Sequence, residues 1–259
     1  MTPARRRATF PAMCTLLVGY DRPRPGTLLL GANRDESFKR GTMPPHVLVR
    51  EPRIVAGRDL LAGGTWLGIH EGRFVAALLN RSVPEGVDAD GARWTAGTTP
   101  DRSRGLLCLD ALRMDDARHA LTWVKDEVLT CRYAPFTLFL ADADGAHCAY
   151  WDGATLRTEE LRPGWHVLTH VDADDIFDPR VDLAHTLIRQ APPRELEDLV
   201  PTLQSHDGAR SVCLHADDHG TVSSTLIQLT WHDPSAARLL YAAGRPCITP
   251  YQDVSSLLA

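Results

Sequence analysis

Short apolar blocks punctuated by Gly and Pro organise the first eighty residues. Runs rich in β-branched or aromatic side chains recur at Cys14 to Tyr20, Thr27 to Ala32, Thr65 to His70 and Arg73 to Asn80, a pattern that predicts strands. Asn80 to Thr99 then carries Pro84, Gly86, Gly91 and Gly97 among several acids and predicts a long exposed loop placed to cover a site. From Ser103 through Val128 the pattern changes period. Leu106, Leu107, Leu109, Leu112, Ala117, Leu121 and Val124 fall at helical spacing, predicting two helices that break near Asp115 and Asp116. Strands are expected again at Thr137 to Ala141, Ala146 to Trp151 and His166 to His170, helices near Val181 to Arg189 and Leu196 to Leu203, and further strands at Val212 to His215, Val222 to Leu229 and Arg238 to Ala242.

Strand groups with hairpin-like spacing, separated by helix pairs, point to antiparallel sheets flanked by helices, an α+β fold rather than alternating βαβ units. Neither G-x-G-x-x-G nor G-x-x-x-x-G-K-[ST] occurs, so a nucleotide-binding doubly wound sheet lacks its marker. No repeat and no linker divides the chain, which predicts one layered domain over 14–259 behind an N-terminal extension, 1–13.

Composition narrows the partners. The 259 residues carry 28 Lys+Arg against 33 Asp+Glu, a formal net charge of -5, and no basic tract follows the first ten residues, so no nucleic-acid footprint is expected. No apolar run approaches the ~20 residues of a membrane helix. Six cysteines (Cys14, Cys108, Cys131, Cys148, Cys213, Cys247) without C-x-x-C spacing read as reduced thiols of a cytoplasmic protein. Residues 1–13 are basic but lack the apolar stretch of a secretory signal; they read as an upstream start or a short propeptide. A chain beginning at Cys14 loses three arginines with the extension and no acids, so its formal charge moves from -5 to -8.

Candidate chemistry begins at Cys14. It opens the first strand, while the second leads into Asn33-Arg34-Asp35-Glu36, and partners in an antiparallel hairpin lie side by side. The thiol is thereby expected beside Arg34, whose guanidinium favours thiolate, and beside Asp35, which can orient a base. With Met13 removed, the freed α-amine of Cys14 itself can act as that base. The plainer alternative is a buried strand cysteine next to a structural ion pair.

The segments Met13-Cys-Thr-Leu-Leu-Val18, Leu29-Leu-Gly-Ala-Asn-Arg-Asp-Glu-Ser37 and Ile54-Val-Ala-Gly-Arg-Asp-Leu-Leu-Ala-Gly-Gly-Thr-Trp-Leu-Gly68 resemble the NRDE, or transport-and-Golgi-organisation, family. The likeness continues at Phe74-Val-Ala-Ala-Leu-Leu-Asn-Arg-Ser82, Ser103-Arg-Gly-Leu-Leu107, Gly220-Thr-Val-Ser-Ser-Thr225 and Gly244-Arg-Pro-Cys247. That family is similar at its N-terminus to N-terminal-nucleophile hydrolases of the choloylglycine and penicillin V acylase type. The resemblance implies a four-layer αββα sandwich, Cys14 as nucleophile with its own amine as base, Arg34 beside the sulfur, Asp35 positioning the amine, and Asn80 in the oxyanion hole. It also implies a second oxyanion asparagine after Val167-Leu168-Thr169, where this chain has His170 instead. Where the resembled family often has arginine, this chain has Val222.

Two functions follow from the resemblance. One is an N-terminal cysteine hydrolase or acyltransferase acting on a carbon–nitrogen amide or thioester bond of a small molecule, needing no cofactor. The other is a non-catalytic carrier of a hydrophobic ligand, haem or an acyl lipid; no C-x-x-C-H motif marks haem attachment. Weaker features read as structure. His215-Ala-Asp-Asp-His219 has metal-ligand types at i and i+4 but falls in a hairpin turn, so no metal is expected there. Asp172, Asp174, Asp175 and Asp178 lead into a helix N-terminus. Gly63-Gly64 reads as a tight strand-entry turn, and Trp66 reads as core.

Overall fold

In a computed structural model, residues 14–82 and 100–259 are described; the extension and most of the Asn80 to Thr99 loop lie outside them. The first hairpin pairs β1 (Thr15–Tyr20) with β2 (Thr27–Ser37). A meander follows: β3 (Thr42–Val49), β4 (Ile54–Asp59), β5 (Leu67–His70) and β6 (Phe74–Asn80). Helices α1 (Arg104–Ala111) and α2 (Ala117–Thr130) precede β7 (Phe136–Ala141), β8 (Ala146–Trp151), β9 (Leu156–Leu161) and β10 (Gly164–Leu168). Helix α3 (Pro179–Gln190) and the single turn α4 (Val200–Leu203) lead to β11 (His219–Thr230), β12 (Arg238–Ala242) and β13 (Gln252–Asp253).

Two antiparallel sheets result, ordered β10-β1-β2-β11-β12-β13 and β3-β4-β5-β6-β7-β8-β9. Alternation along each strand explains how they stack. Leu16, Val18 and Tyr20 of β1 join Val75, Ala77 and Leu79 of β6 in the core between the sheets. The intervening Leu17 packs under α3 and α4, and Phe74, Ala76 and Leu78 pack under α1 and α2. Helices thus cover both outer faces, and the chain is an α+β sandwich in four layers. Strands buried on both faces lose the apolar/polar alternation, so they read as continuous apolar runs.

Helix starts follow local chemistry. Ser103 accepts from Gly105 N at 3.2 Å, Asp116 from His119 N at 2.8 Å, and Asp178 from Arg180 N at 2.8 Å with Pro179 in the first turn; each cap satisfies donors that the helix leaves open. The expected break between α1 and α2 is there, with Asp116 as the cap.

Several boundaries differ from expectation. Val212 to His215 is no strand: only His215 bridges to Gly220, because Cys213 N bonds Ser205 O and Leu214 N bonds the Thr221 hydroxyl. β2 continues through its charged residues to Ser37, and β10 ends at Leu168, leaving His170 in the following loop. Leu196 to Leu203 starts as a 3₁₀ turn and becomes α only at Val200. Four strands had no sequence expectation: β3, β9 and β13, which are sheet edges and half-buried or exposed, and β4, which is buried beside β3.

Candidate active site

Thr15 lies opposite Asn33 in the first hairpin, which leaves Cys14 at the open end of β1, next to Arg34. The Cys14 thiol points at the Asp35 carbonyl oxygen, 3.8 Å away. Alternation sorts the charged run. Asn33 faces the helices and is scaffold: its Nδ2 donates to Leu203 O (2.8 Å) and Val212 O (3.0 Å), and its Oδ1 accepts from Ser224 Oγ (2.7 Å). Arg34 turns inward, its guanidinium 4.3 Å from the centre of the Trp66 ring and 3.6 Å from Glu36 Oε2. Its buried Nη1 has no acceptor among the described residues. Trp66, expected as simple core, is half-buried and serves as the shelf for that cation.

Asp35 is held from two sides. Thr221 Oγ1 donates to Asp35 Oδ1 at 2.6 Å, while Arg180 Nη1 sits 3.6 Å from Oδ2 and 3.4 Å from Thr15 Oγ1. A β-bulge at Val222 lets Thr221 pair with Asp35 and Ser223 with Arg34. Oδ2 is buried without a hydrogen-bond donor among the described residues.

Electrostatics overturn one expectation. Burial of the sulfur and the negative charge of Asp35 push the Cys14 thiol up to about 11, and Arg34 opposes this only weakly. Desolvation outweighs one guanidinium that is already shared with Glu36 and Trp66. The resting group is a thiol, not the expected thiolate. Burial also pushes Asp35 up to about 7, against the pull of Arg180, Thr221 and His219.

Cys14, Arg34, Asp35 and Asn80 line one cavity of about 220 Å³. Asn80 is its exposed rim, the last residue of β6. Arg104, Ser103 and Gly105 from the start of α1 complete the far wall, with Arg40, itself paired to Asp59 at 2.7 Å. Arg104 Nη1 donates to Pro135 O at 2.7 Å. The Gly63-Gly64 turn makes this approach possible: a Cβ on Gly64 would lie 2.1 Å from the Gly105 carbonyl carbon, while Thr65 N bonds Gly105 O at 2.9 Å. Among the residues around Cys14, Arg104, Thr221 and Arg180 carried no individual sequence signal. The first two lie in blocks that bore the family resemblance; Arg180 had none.

His170 is placed elsewhere. Its ring lines a separate cavity of about 520 Å³, with Nδ1 3.5 Å from Asp178 Oδ2. Burial, Arg180 and Arg81 hold its pKa down. The ring is not in the Cys14 cavity, because the chain has left β10 two residues earlier and turned toward α3. His215 and His219 also part company: His219 bonds Asp218 at 2.7 Å, and His215 turns toward Cys213 and Cys247. Asp174 accepts from both His166 and His185 as well as from Val167 N, so the acidic loop is a local brace rather than a ligand set.

The family model for Transport and Golgi organisation 2 matches residues 13–198, spanning Cys14, Arg34, Asp35 and Asn80. The chain belongs to the Transport and Golgi organisation 2 family. Transport and Golgi organization protein 2 of Drosophila melanogaster is 32% identical over 127 residues, 45% of this chain; the chain spans 41% of that relative's length. Among solved structures, the Caenorhabditis elegans N-acylethanolamine-hydrolyzing acid amidase ortholog superposes with a TM-score of 0.57 at 13% identity, covering 83% of this chain and 92% of its own. A mutant of the conjugated bile acid hydrolase from Clostridium perfringens gives 0.57 at 10%, covering 95% and 94%. At these identities the likeness is one of fold: this family member shares its sandwich with that amidase and that hydrolase. No helix among the described residues is long and apolar enough to cross a membrane.

Proposed function

We propose that this protein is an N-terminal cysteine hydrolase of a small molecule's amide or thioester bond, active once Cys14 is the first residue. The observation that carries the reading is the convergence of Cys14, Arg34, Asp35 and Asn80 on one cavity at the end of the first hairpin, in a sandwich shared with an amidase and a hydrolase. A thiol held near 11 is a poor nucleophile by itself and needs a base close by. The freed α-amine supplies it. Asp35 Oδ2, buried and without a donor, is the acceptor that such an amine requires.

In this reading the amine takes the Cys14 proton and the sulfur adds to the substrate carbonyl. Asn80 donates to the oxyanion, with Arg34 Nη1 as the charged donor behind it. Collapse expels the leaving group with the proton from the ammonium, leaving a thioester. Water then loses a proton to the amine, adds to the thioester, and releases the acid and the Cys14 thiol. His170 has no part, since its ring lies in another cavity. A volume of about 220 Å³ lined by three arginines and by Asp35, Glu36 and Asp59 favours a small, strongly polar substrate.

Intact mass of the purified protein, before and after an acyl probe that reacts with thiols, tests this. A chain starting at Cys14, 246 residues long, that gains one acyl group lost in Cys14→Ala supports it. A mature protein retaining residues 1–13 excludes the mechanism. One observation favours a second reading as a carrier: the 520 Å³ cavity has apolar walls from Val171, Phe177 and Leu214. Saturable binding of a fatty-acyl probe or haem by Cys14→Ala, without turnover by the wild type, would favour the carrier instead.

A further inference from the structure

A second cluster of reactive side chains lies outside the Cys14 cavity, where Cys213 and His215, just before β11, meet Cys247, just after β12, and His206. One ligand atom from each of these four residues lies within 4.8 Å of the others. Cys213 Sγ is 3.7 Å from Cys247 Sγ and 3.7 Å from His215 Nε2, and Cys247 Sγ is 3.4 Å from His215 Nε2. A tetrahedral zinc centre, with Zn–S of about 2.3 Å and Zn–N of about 2.0 Å, separates two sulfurs by about 3.8 Å and sulfur from nitrogen by about 3.5 Å. The three separations match those edges. Two sulfurs at this distance share no covalent bond, which needs about 2.05 Å.

The surroundings are also built. His206 Nδ1 donates to Cys213 O at 3.1 Å, which directs its Nε2 lone pair away from the backbone, the arrangement usual for a metal-bound imidazole. Its ring meets the His215 ring edge-on at 4.6 Å between centres. Gln204 Nε2 donates to Pro246 O at 2.8 Å and fixes the turn that presents Cys247. Cys213 is buried, Cys247 half-buried, and the two imidazoles face outward. Spacing along the chain hides this set: it contains neither C-x-x-C nor the His215/His219 pair, and Cys247 is 32 residues beyond His215.

We propose that His206, Cys213, His215 and Cys247 bind one zinc ion as a closed Cys₂His₂ centre that clamps the C-terminal turn to the segment entering β11. With four protein ligands no position is left for substrate, which makes the role structural. Loading releases two protons to solvent, one from each thiol, and gives a site of zero net charge. At His215 the proton must sit on Nδ1, so the contact with Arg245 Nη1 at 3.3 Å opens. The clamp holds the stretch from Cys213 to Thr221, and Thr221 carries the hydrogen bond to Asp35.

The test uses the full chain with any histidine tag removed. Elemental analysis and native mass should give one zinc per chain, at a mass increase equal to zinc less two protons. After chelation, cobalt(II) should restore the ligand-field bands of a tetrahedral ion together with thiolate charge transfer. Cys247→Ser and His206→Asn should weaken zinc binding by about a hundredfold or more, whereas His219→Ala should leave it unchanged. If Cys213→Ser does not fold, the cobalt spectrum of the wild type still decides. Alkylation of both thiols in a metal-free chain that refuses cobalt would overturn the proposal. So would a Cys213–Cys247 disulfide, seen as the loss of two hydrogens, or an octahedral spectrum without charge transfer.

Discussion

Asp35 shows how much one buried carboxyl can report. Its ordinary value of 3.8 rises to about 7 in the folded chain, so between about pH 4 and 7 the folded state holds a proton that the unfolded state has lost. Raising the pH through that window therefore removes stability, up to about 4 kcal/mol for a step of this size. With residues 1–13 retained, the stability of Asp35→Asn relative to wild type should increase from pH 5 to pH 8 in urea denaturation; an equal difference at both pH values refutes the assignment. In a chain that starts at Cys14, an ammonium beside Asp35 would hold it ionised, and the difference should shrink. Thr221→Val removes the donor to Asp35 and the acceptor of Leu214 N, and a loss of about 1–3 kcal/mol is expected from the denaturation midpoint. The neighbourhood of Cys14 and Arg34 was legible because hairpin pairing is local and its register is set by the buried face. Arg180 was not, since nothing in a helix sequence says which sheet residue its first turn will reach 145 positions away.

At the scale of elements, legibility followed burial except at β4, a buried strand whose short apolar run ends in Arg58 and Asp59. Ala146–Trp151 and Arg238–Ala242 were delimited by their apolar runs, whereas exposed β9, with Arg157, Glu159 and Glu160, offers the same polar pattern as a loop. The Val212 to His215 run misled because its apolar residues are buried by side-chain packing rather than by strand pairing. Two contacts between elements carry predictions. Gly64→Ala drives a Cβ into the Gly105 backbone, where no side chain can yield, so α1 must retreat from the Cys14 cavity. Thermal unfolding should show a loss of about 1–3 kcal/mol, and acyl-probe labelling of Cys14 should slow with it. Asn33→Ala leaves Leu203 O, Val212 O and the Ser224 hydroxyl short of a partner. A loss of about 2–4 kcal/mol is expected, with faster hydrogen exchange in the 200–213 segment as its local signature.

Across the whole molecule, the two sheets are assembled from the chain in different ways. The seven-stranded sheet is a meander whose strands stand in sequence order from β3 to β9, so each new strand meets the one made just before it. The six-stranded sheet interrupts that order: β2 pairs along its whole length with β11, Thr27 opposite Thr230 through Ser37 opposite His219. Contacts separated by some 200 residues form late, because a long loop must close first. A ribosome therefore releases Cys14 and Arg34 near the start of synthesis, yet Thr221 and Arg180, which hold Asp35, emerge only toward its end. The strand that begins at Cys14 waits as an unfinished edge while the meander grows, and the surroundings of Asp35 at its tip are completed only when the last third of the polypeptide has been made. Under the proposed function, a nascent chain truncated before β11 should accordingly show no turnover of an amide or thioester substrate even with the Cys14 amine exposed.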